Sequence, residues 1–394
     1  MATPLHLSRF SPPFRFLAEC LGRLADPDSD RARVVDGERW AGLDWTLVGE
    51  LAARHRVEAA LARVLEEAGW REIPDGLRAA LKSSGRREAV RALVQTAESE
   101  RVAVEMHRRD IRFFILKGIP LGHLLFASAA VRQSKDIDLL VDAADMDRAI
   151  ACLEDLGFDQ LERERELART PRQREAFMRM RSDLGFLNPA TKALVELHWR
   201  PAAPELFPFD MEAAWRSREI VRPNKAEMPI LPPASQFLYL ACHGAGHAWF
   251  RLKWLLDIAA MLNRMSAADL AAIWADSKRQ RLDAVVGSAT VLAAALLGAR
   301  IEPALLEEMA ANPRARRLVD LSEKALKRPH PKEYSLLMLI NRLRLKPGLN
   351  YLGGVARGSM YCPQDWQDVP LPDSLFPLYV FIRPFAWARR RLSS

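Results

Sequence analysis

The residues of this chain best suited to chemistry are Asp136-Ile137-Asp138, two carboxylates at the head of an apolar run that continues Leu139-Leu140-Val141. In an extended strand, residues i and i+2 point the same way, about 6.6 Å apart at Cα. Both carboxylates then share a face while Ile137 turns to the core. Carboxylates so held can bridge two divalent cations, and cations about 3.5–4 Å apart clamp the attacking and leaving oxygens of an in-line phosphoryl displacement. Hard cations with oxygen ligands and phosphate substrates point to Mg2+. In ALVELHW (193–199), period 2 puts Glu196 and His198 on one face. A third carboxylate there completes a metal site or takes a proton from an acceptor hydroxyl. Lys117-Gly118 closes the preceding run RFFILKG, where Gly lets backbone N–H groups approach a phosphate and Lys brings a point charge. Arg132, four residues before Asp136, offers a planar fork suited to a triphosphate. An isolated Asp-x-Asp also fits a solvated strand entry, and Glu196 a cross-strand ion pair with Arg132 or Lys135. The strand context, with Lys-Gly before and Glu-x-His after, favours the metal site.

The elements that must position these groups form a small α+β unit over roughly 105–200. RFFILKG reads as a buried strand delivering a turn, and Asp136–Val141 as a second strand. ADMDRAIACLEDLG reads as a helix closed by Gly157, and LGFLN, PATK and ALVELHW as a hairpin. Residues 1–100 are read as helical. GELAARHRVEAALARVLEEAG keeps one helical pattern to a C-cap at Gly69, and RREAVRALVQTAESERVAVEMHRRD continues it through Val90, Leu93, Val94 and Ala97. From Pro233 the chain is helical again, in ASQFLYLACHGAGHAWFRLKWLLDIAAML, in SAADLAAIWADS with Ser266 as N-cap, and in DAVVGSATVLAAALLG. The tail from Pro347 reads as irregular.

Composition bounds the partners. With 49% hydrophobic and 27% charged residues in 394, the chain has ample material for real cores, which excludes disorder and disulfide scaffolds. The four Cys stand singly, so a zinc ribbon is not indicated and a reducing compartment is the default. A formal charge of +8 invites a nucleic-acid reading, but from Ala311 onward there are 15 Lys and Arg against 6 Asp and Glu. The surplus therefore belongs to the end of the chain, the rest is near neutral, and a polynucleotide partner is not expected. No run reaches the 18 or so apolar residues of a membrane span, and the N-terminus lacks a signal-peptide core, so a cytoplasmic protein is expected.

The succession ILKG, VRQSKDIDLLV and VELHW resembles the DNA polymerase β nucleotidyltransferase superfamily. It most resembles a bacterial nucleotidyltransferase-like branch with Lys-Gly in place of the usual Gly-Ser. The similarity runs through most of the chain, including the segments RHRVEAALARVL and RLKWLLDIAAML. It implies a small mixed-sheet core flanked by helical lobes, Mg2+ (two ions), and transfer of a nucleotidyl group from an NTP. By position it makes Asp136 and Asp138 the metal pair, Glu196 the third carboxylate and Gly118 the phosphate-loop glycine. Lys117, Arg132 and His198 join as groups around phosphates and ligands. Where the superfamily has Ser after the loop Gly, this chain has Ile119-Pro120, and the interval from Gly118 to Asp136 is long.

The expected division is a helical N-terminal lobe (1–104), the α+β core (105–228), a helical C-terminal lobe (229–346) and a basic, aromatic tail (347–394). The expected function is a Mg2+-dependent nucleotidyltransferase acting on a hydroxyl or phosphate acceptor: a small molecule, a peptide or a polysaccharide precursor. The alternatives are a non-catalytic scaffold of the same fold and a kinase-like phosphotransferase. His243 and His247 have the i, i+4 spacing of a zinc pair without a third ligand in view, so a packed pair is favoured. Lys253 and Asp257 read as a surface ion pair, with contact to a nucleotide as the sharper alternative. The run Glu162–Asp183 reads as a solvated helix or loop beside the site, with acceptor recognition as its sharper reading. The tail SLFPLYVFIRPFAWARRRL suits peripheral membrane contact or a partner groove, although Pro377 and Pro384 favour packing on the body.

Overall fold

The computed structural model describes residues 5–26, 28, 39–162, 170–327 and 334–392. The N-terminal part is α1 (Pro12–Ala25), α2 (Trp45–His55), α3 (Glu58–Glu67) and α4 (Asp75–Arg108). The core follows with β1 (Phe113–Ile115), α5 (Ile119–Phe126), β2 (Ile137–Val141), α6 (Met146–Asp155) and β3 (Asp159–Gln160). It continues through α7 (Pro171–Met180), β4 (Asp183–Leu187), β5 (Leu194–His198), α8 (Met211–Arg216), β6 (Glu219–Val221) and β7 (Met228–Ile230). The C-terminal helices are α9 (Pro233–Gly246), α10 (Leu252–Leu262), α11 (Ala267–Arg279), α12 (Asp283–Leu297), α13 (Pro303–Ala311), α14 (Pro313–Lys327) and α15 (Tyr334–Arg344).

Five strands form a mixed sheet in the order β1-β2-β5-β4-β3, with β2 and β5 parallel and the other neighbours antiparallel. The fold is α+β, as expected. Alternation does what the sequence required of it. Ile137, Leu139, Val141, Val195 and Leu197 enter one core with Val102, Ala103 and Met106 of α4 and Cys152 and Leu153 of α6. Residues between them turn to the other face, where Phe114 and Leu140 join a larger core. That larger core unites the N-terminal helices with those that follow the sheet: Phe16, Leu17 and Leu21 of α1 pack with Leu255 of α10 and Val285 and Leu292 of α12. The approach is close enough to need glycine. A Cβ on Gly22 would stand 2.4 Å from the Leu297 carbonyl oxygen.

Two segments expected as continuous helices are broken. Arg56, at φ +55, ends α2, and Ala248 and Trp249, at φ +48 and +51, separate α9 from α10. The first break carries no Gly or Pro to mark a stop, and at the second Gly246 ends α9 while the left-handed turn itself falls on Ala248 and Trp249. Burial enforces the second. Trp249 is fully buried and folds back over Gly244, where a Cβ would lie 2.1 Å from its ring. The expected apolar face of α4 is kept only at Val94, which packs against the sheet core. Val90 and Leu93 are exposed while Ala92, Gln95, Glu98 and Ser99 are buried, because this helix packs closely on the turn Ala129–Val131, and small and polar groups fit there. Ser266 caps α11 through the Asp269 amide, as read, and Gly298 closes α12 at φ +66.

The tail is not irregular. It forms α16 (Leu349–Met360), α17 (Pro363–Asp368), a 3-10 turn (Asp373–Leu378) and α18 (Tyr379–Leu392). Pro363 sits in a first turn, where its missing N–H is not needed. Trp366, Phe376 and Tyr379 cluster against Ala176 and Met180 of α7, so the tail packs back on the body. Arg390 is paired with Asp365 and Asp368. The run 162–183 is helical where described (171–180), and 163–169 lies outside the described residues. No helix among the described residues is long and apolar enough to cross a membrane.

One stability prediction arises at the α2 end. His55 is fully buried, and its Nδ1 accepts from the Leu252 amide at 3.4 Å. Burial above all, with Arg54 and Arg251 nearby, pushes its pKa down from 6.5 to about 3. Below pH 6.5 the unfolded chain takes up a proton that the fold refuses until about pH 3, so stability falls as pH drops through that window. From pH 7 to 5 this one ring costs about 2 kcal/mol. Urea unfolding at both pH values will show wild type losing about 2 kcal/mol more than His55→Gln; equal losses would refute the assignment.

Candidate active site

β2 and β5 bring the predicted carboxylates together. Their parallel register pairs Asp138 with Glu196 and Leu140 with His198, and alternation keeps Asp138, Glu196 and His198 on one face of the sheet. β1 lies antiparallel on the other side of β2, and the Leu116 amide donates to the Asp138 carbonyl at 3.0 Å. Lys117 therefore emerges beside Asp138. Gly118 follows at φ +81 as the N-cap of α5, a conformation that favours glycine. A Cβ there would also lie 3.6 Å from both the Ser134 hydroxyl and the Asp136 carbonyl oxygen. Ile119-Pro120, in place of a loop serine, forms the first turn of α5. Ser134 is the hydroxyl at this turn, donating to the Asp136 carbonyl at 3.0 Å.

The site is strongly polarised. Lys117 Nζ lies 2.7 Å from Asp138 Oδ1, and His198 Nε2 lies 3.3 Å from the same oxygen and 3.8 Å from Glu196 Oε2. Asp138 has no solvent exposure. Burial alone favours its neutral acid, but Lys117 and His198 outweigh that and hold it well below the usual carboxylate range. Burial opposes the charged forms of Lys117 and His198 as well. Asp138 nevertheless pulls Lys117 up, and Asp138 and Glu196 together pull His198 up to about 9. Asp136 stands just outside β2, and burial, with Asp138 and Glu196 close by, pushes its pKa up. Carboxylates that repel one another in this way are placed for a cation.

Metal ligation fits this arrangement. One oxygen of Asp138, Oδ2, is buried with no hydrogen-bond partner. Ligand atoms of Asp138, Glu196 and His198 all lie within 4.8 Å of one another. His198, expected beside the ligands, falls inside this closest cluster, while Asp136 borders it.

Arg132 is placed differently from its expected role at a phosphate. It is buried, and its Nε and Nη2 donate to Asp257 at 2.8–3.1 Å. Asp257 is thus not the surface partner of Lys253. It sits on the buried face of α10 and ties that helix to the loop before Asp136. Lys253 Nζ donates instead to the Gln133 carbonyl at 2.9 Å. Burial above all, with Arg132 near, pushes Lys253 down to about 7. His243 and His247 form the packed pair expected, 4.9 Å apart at their ring centroids and both against Trp254. Burial keeps both neutral, with His247 pushed down to about 4. No group of potential metal ligands among the described residues includes them. A cavity of about 1010 Å³ lies beyond β5, lined by Arg200, His243, His247, Arg342, Tyr351 and Tyr361.

Spacing did not single out Arg56 or Arg251, although both border this region. The available signal was their position: Arg54-His55-Arg56 and Arg251-Leu252-Lys253 put cations where one helix stops and another starts.

Residues 41–298 match the model of a family described as uncharacterised nucleotidyltransferase. The matched span contains Lys117, Gly118, Arg132, Asp136, Asp138, Glu196 and His198. No curated protein and no solved structure matches the chain.

Proposed function

Because the chain belongs to that nucleotidyltransferase family, we propose that it moves a nucleoside monophosphate from an NTP to a hydroxyl or phosphate acceptor, with Asp136, Asp138 and Glu196 as its carboxylate set. The observation that carries this reading is the cross-strand pairing of Asp138 with Glu196, at a buried oxygen that no hydrogen bond satisfies. Asp136, Asp138 and Glu196 would hold two Mg2+ ions, which when bound supply charge stabilisation to the phosphoryl oxygens. The acceptor oxygen forms a bond to the α-phosphorus, and the bond from that phosphorus to the bridging oxygen of pyrophosphate breaks. Glu196, the most open of the three groups around Asp138, accepts the proton of a hydroxyl acceptor. His198 steadies Asp138 and Glu196 from the same strand face, and Lys117 balances the charge of Asp138. Gly118 keeps the start of α5 open to phosphate. The cavity beyond β5 gives an acceptor room. Small molecules, peptides and polysaccharide precursors are the classes to try.

Calorimetric titration with each NTP, with and without Mg2+, followed by mass spectrometry of products from candidate acceptors, tests the reading. Metal-dependent NTP binding and a nucleotidyl adduct are expected. A phosphoryl adduct would replace the reaction with a phosphotransfer, and no metal-dependent binding would leave a scaffold.

A further inference from the structure

We propose that Arg56, Arg251 and Lys253 form a polyphosphate clamp, one arm from the N-terminal helices and two from the C-terminal helices, that holds the triphosphate of the nucleotide against the acidic site. This rests on the nucleotidyltransferase reading and extends it to the groups that hold the donor.

Three observations place the clamp. The α2–α3 turn that carries Arg56 is fastened to the start of α10 by the bond from the Leu252 amide to His55 Nδ1, at 3.4 Å. Arg251 and Lys253 flank Leu252 at that same helix start. Lys253 Nζ then reaches the Gln133 carbonyl at 2.9 Å, three residues before Asp136. The three cations thus border the loop that delivers the metal pair.

Their partners make the case for an anion. Most arginines described in this protein have a carboxylate or carbonyl to bind, as Arg54 has the carbonyls of Ala325 and Leu326. Arg56 is half-buried and makes no side-chain hydrogen bond or ion pair among the described residues. Arg251 lies over the rings of Phe250 and Trp254, at 4.9 and 5.8 Å, with its Nε buried and unsatisfied. Lys253 has lost its natural i+4 partner, because Asp257 is committed to Arg132, and it keeps only a carbonyl. Burial and mutual repulsion act on the set. Burial and then Arg56 push Arg251 down to about 10, and burial also lowers Arg56, whose largest opposing influence is the Asp136 carboxylate. Half-buried cations without a direct ion pair are costly to hold, and a polyanion lying between them and the metal carboxylates would relieve all three. The first turn of α10 has no side-chain cap and adds its own positive end. A triphosphate has the length and charge for such a two-sided contact; a lone phosphate does not.

The test uses the full chain and inorganic tripolyphosphate, without metal, followed by Mg2+ and NTP. Wild type should bind tripolyphosphate and melt at a higher temperature in its presence. Arg56→Asn, which suits the left-handed backbone, and Arg251→Ala should each weaken that binding about tenfold, and Lys253→Met similarly. In turnover the same variants should raise KM for NTP more than they lower kcat, and Arg251→Lys should recover part of the loss. Asp136→Asn should keep tripolyphosphate binding. Variants with unchanged melting and wild-type affinity would overturn the clamp, as would a wild type that ignores tripolyphosphate. If any variant misfolds, the wild-type melting shift with tripolyphosphate and the Arg251→Lys affinity still decide the matter. NTP turnover without any effect of these variants rejects the clamp alone. Tripolyphosphate binding lost in the variants, in a protein that turns over no NTP, rejects the reaction and keeps the anion site.

Discussion

Asp136→Asn is expected to abolish the proposed nucleotidyl transfer, by about 10³-fold or more, and to leave the protein as stable as wild type or more so. Loss of turnover follows because a metal-bound carboxylate supplies several kcal/mol of transition-state charge stabilisation, and each 1.4 kcal/mol is a factor of about ten. Retained stability follows from the repulsion around it. Burial and the charges of Asp138 and Glu196 already push the Asp136 pKa up, so its ionised form is a burden on the fold. Its side chain takes only a 3.3 Å contact from the Ser134 hydroxyl. A neutral amide of the same shape removes the repulsion. Asp138→Asn should match the loss of turnover and differ in stability, because it strands the Lys117 ammonium, 2.7 Å from Asp138, in a buried place. Steady-state pyrophosphate release and thermal melting of the two variants check this together. Undiminished turnover in either would remove the carboxylate set from the reaction, and a large loss of stability in Asp136→Asn would show that Asp136 is structural.

The largest stability effect is expected at a residue outside the acidic cluster. Asp257→Ala should cost about 3–5 kcal/mol, because it leaves the Arg132 guanidinium buried and uncompensated. Both partners are almost fully buried, at 4% and 1% exposure, and they join α10 to the loop that ends at Asp136. The loss should therefore reach function too, lowering turnover even under conditions in which the variant remains folded. Replacing both partners by apolar groups, Arg132→Met with Asp257→Leu, should restore most of the stability, since no charge then stays unpaired. Urea unfolding of the two singles and the double closes the cycle. A cost within about 1 kcal/mol for Asp257→Ala would mean that solvent reaches the pair.

What could be read from the sequence was what repeats at short range. Period-2 alternation over Asp136–Val141 and Ala193–Trp199 separates core from site, and the structure keeps it residue by residue. Ser266 and Gly157 mark helix ends by their own chemistry and do so in the fold. The rest depended on partners far along the chain. No local pattern gives Asp257 to Arg132, 125 positions away, in place of Lys253, four positions away. The breaks at Arg56 and Trp249 use left-handed residues that are not glycine, held there by burial and by the hydrogen bonds that close each turn. The polar inward face of α4 reverses the usual pattern, because its neighbour there is a tight turn and not an apolar helix. Pro377 and Pro384 looked like breakers of the tail; Pro377 does sit in a 3-10 segment, but Pro384 lies inside α18.

The contact of Gly22 with the Leu297 carbonyl also has a consequence for biosynthesis. α1 leaves the ribosome before the sheet, yet two of the helices that bury it, α10 and α12, are translated only after the whole sheet. At about 5–20 residues per second, α1 waits roughly 14–54 s for α12. Through that interval Phe16, Leu17 and Leu21 lack the later half of their core, and the sheet can form before the helices on either side of it have closed. Over that interval the nascent chain carries α1 covered by α2 and α3 but not by α10 and α12, and chaperone binding there should fall away once residues near 297 have emerged.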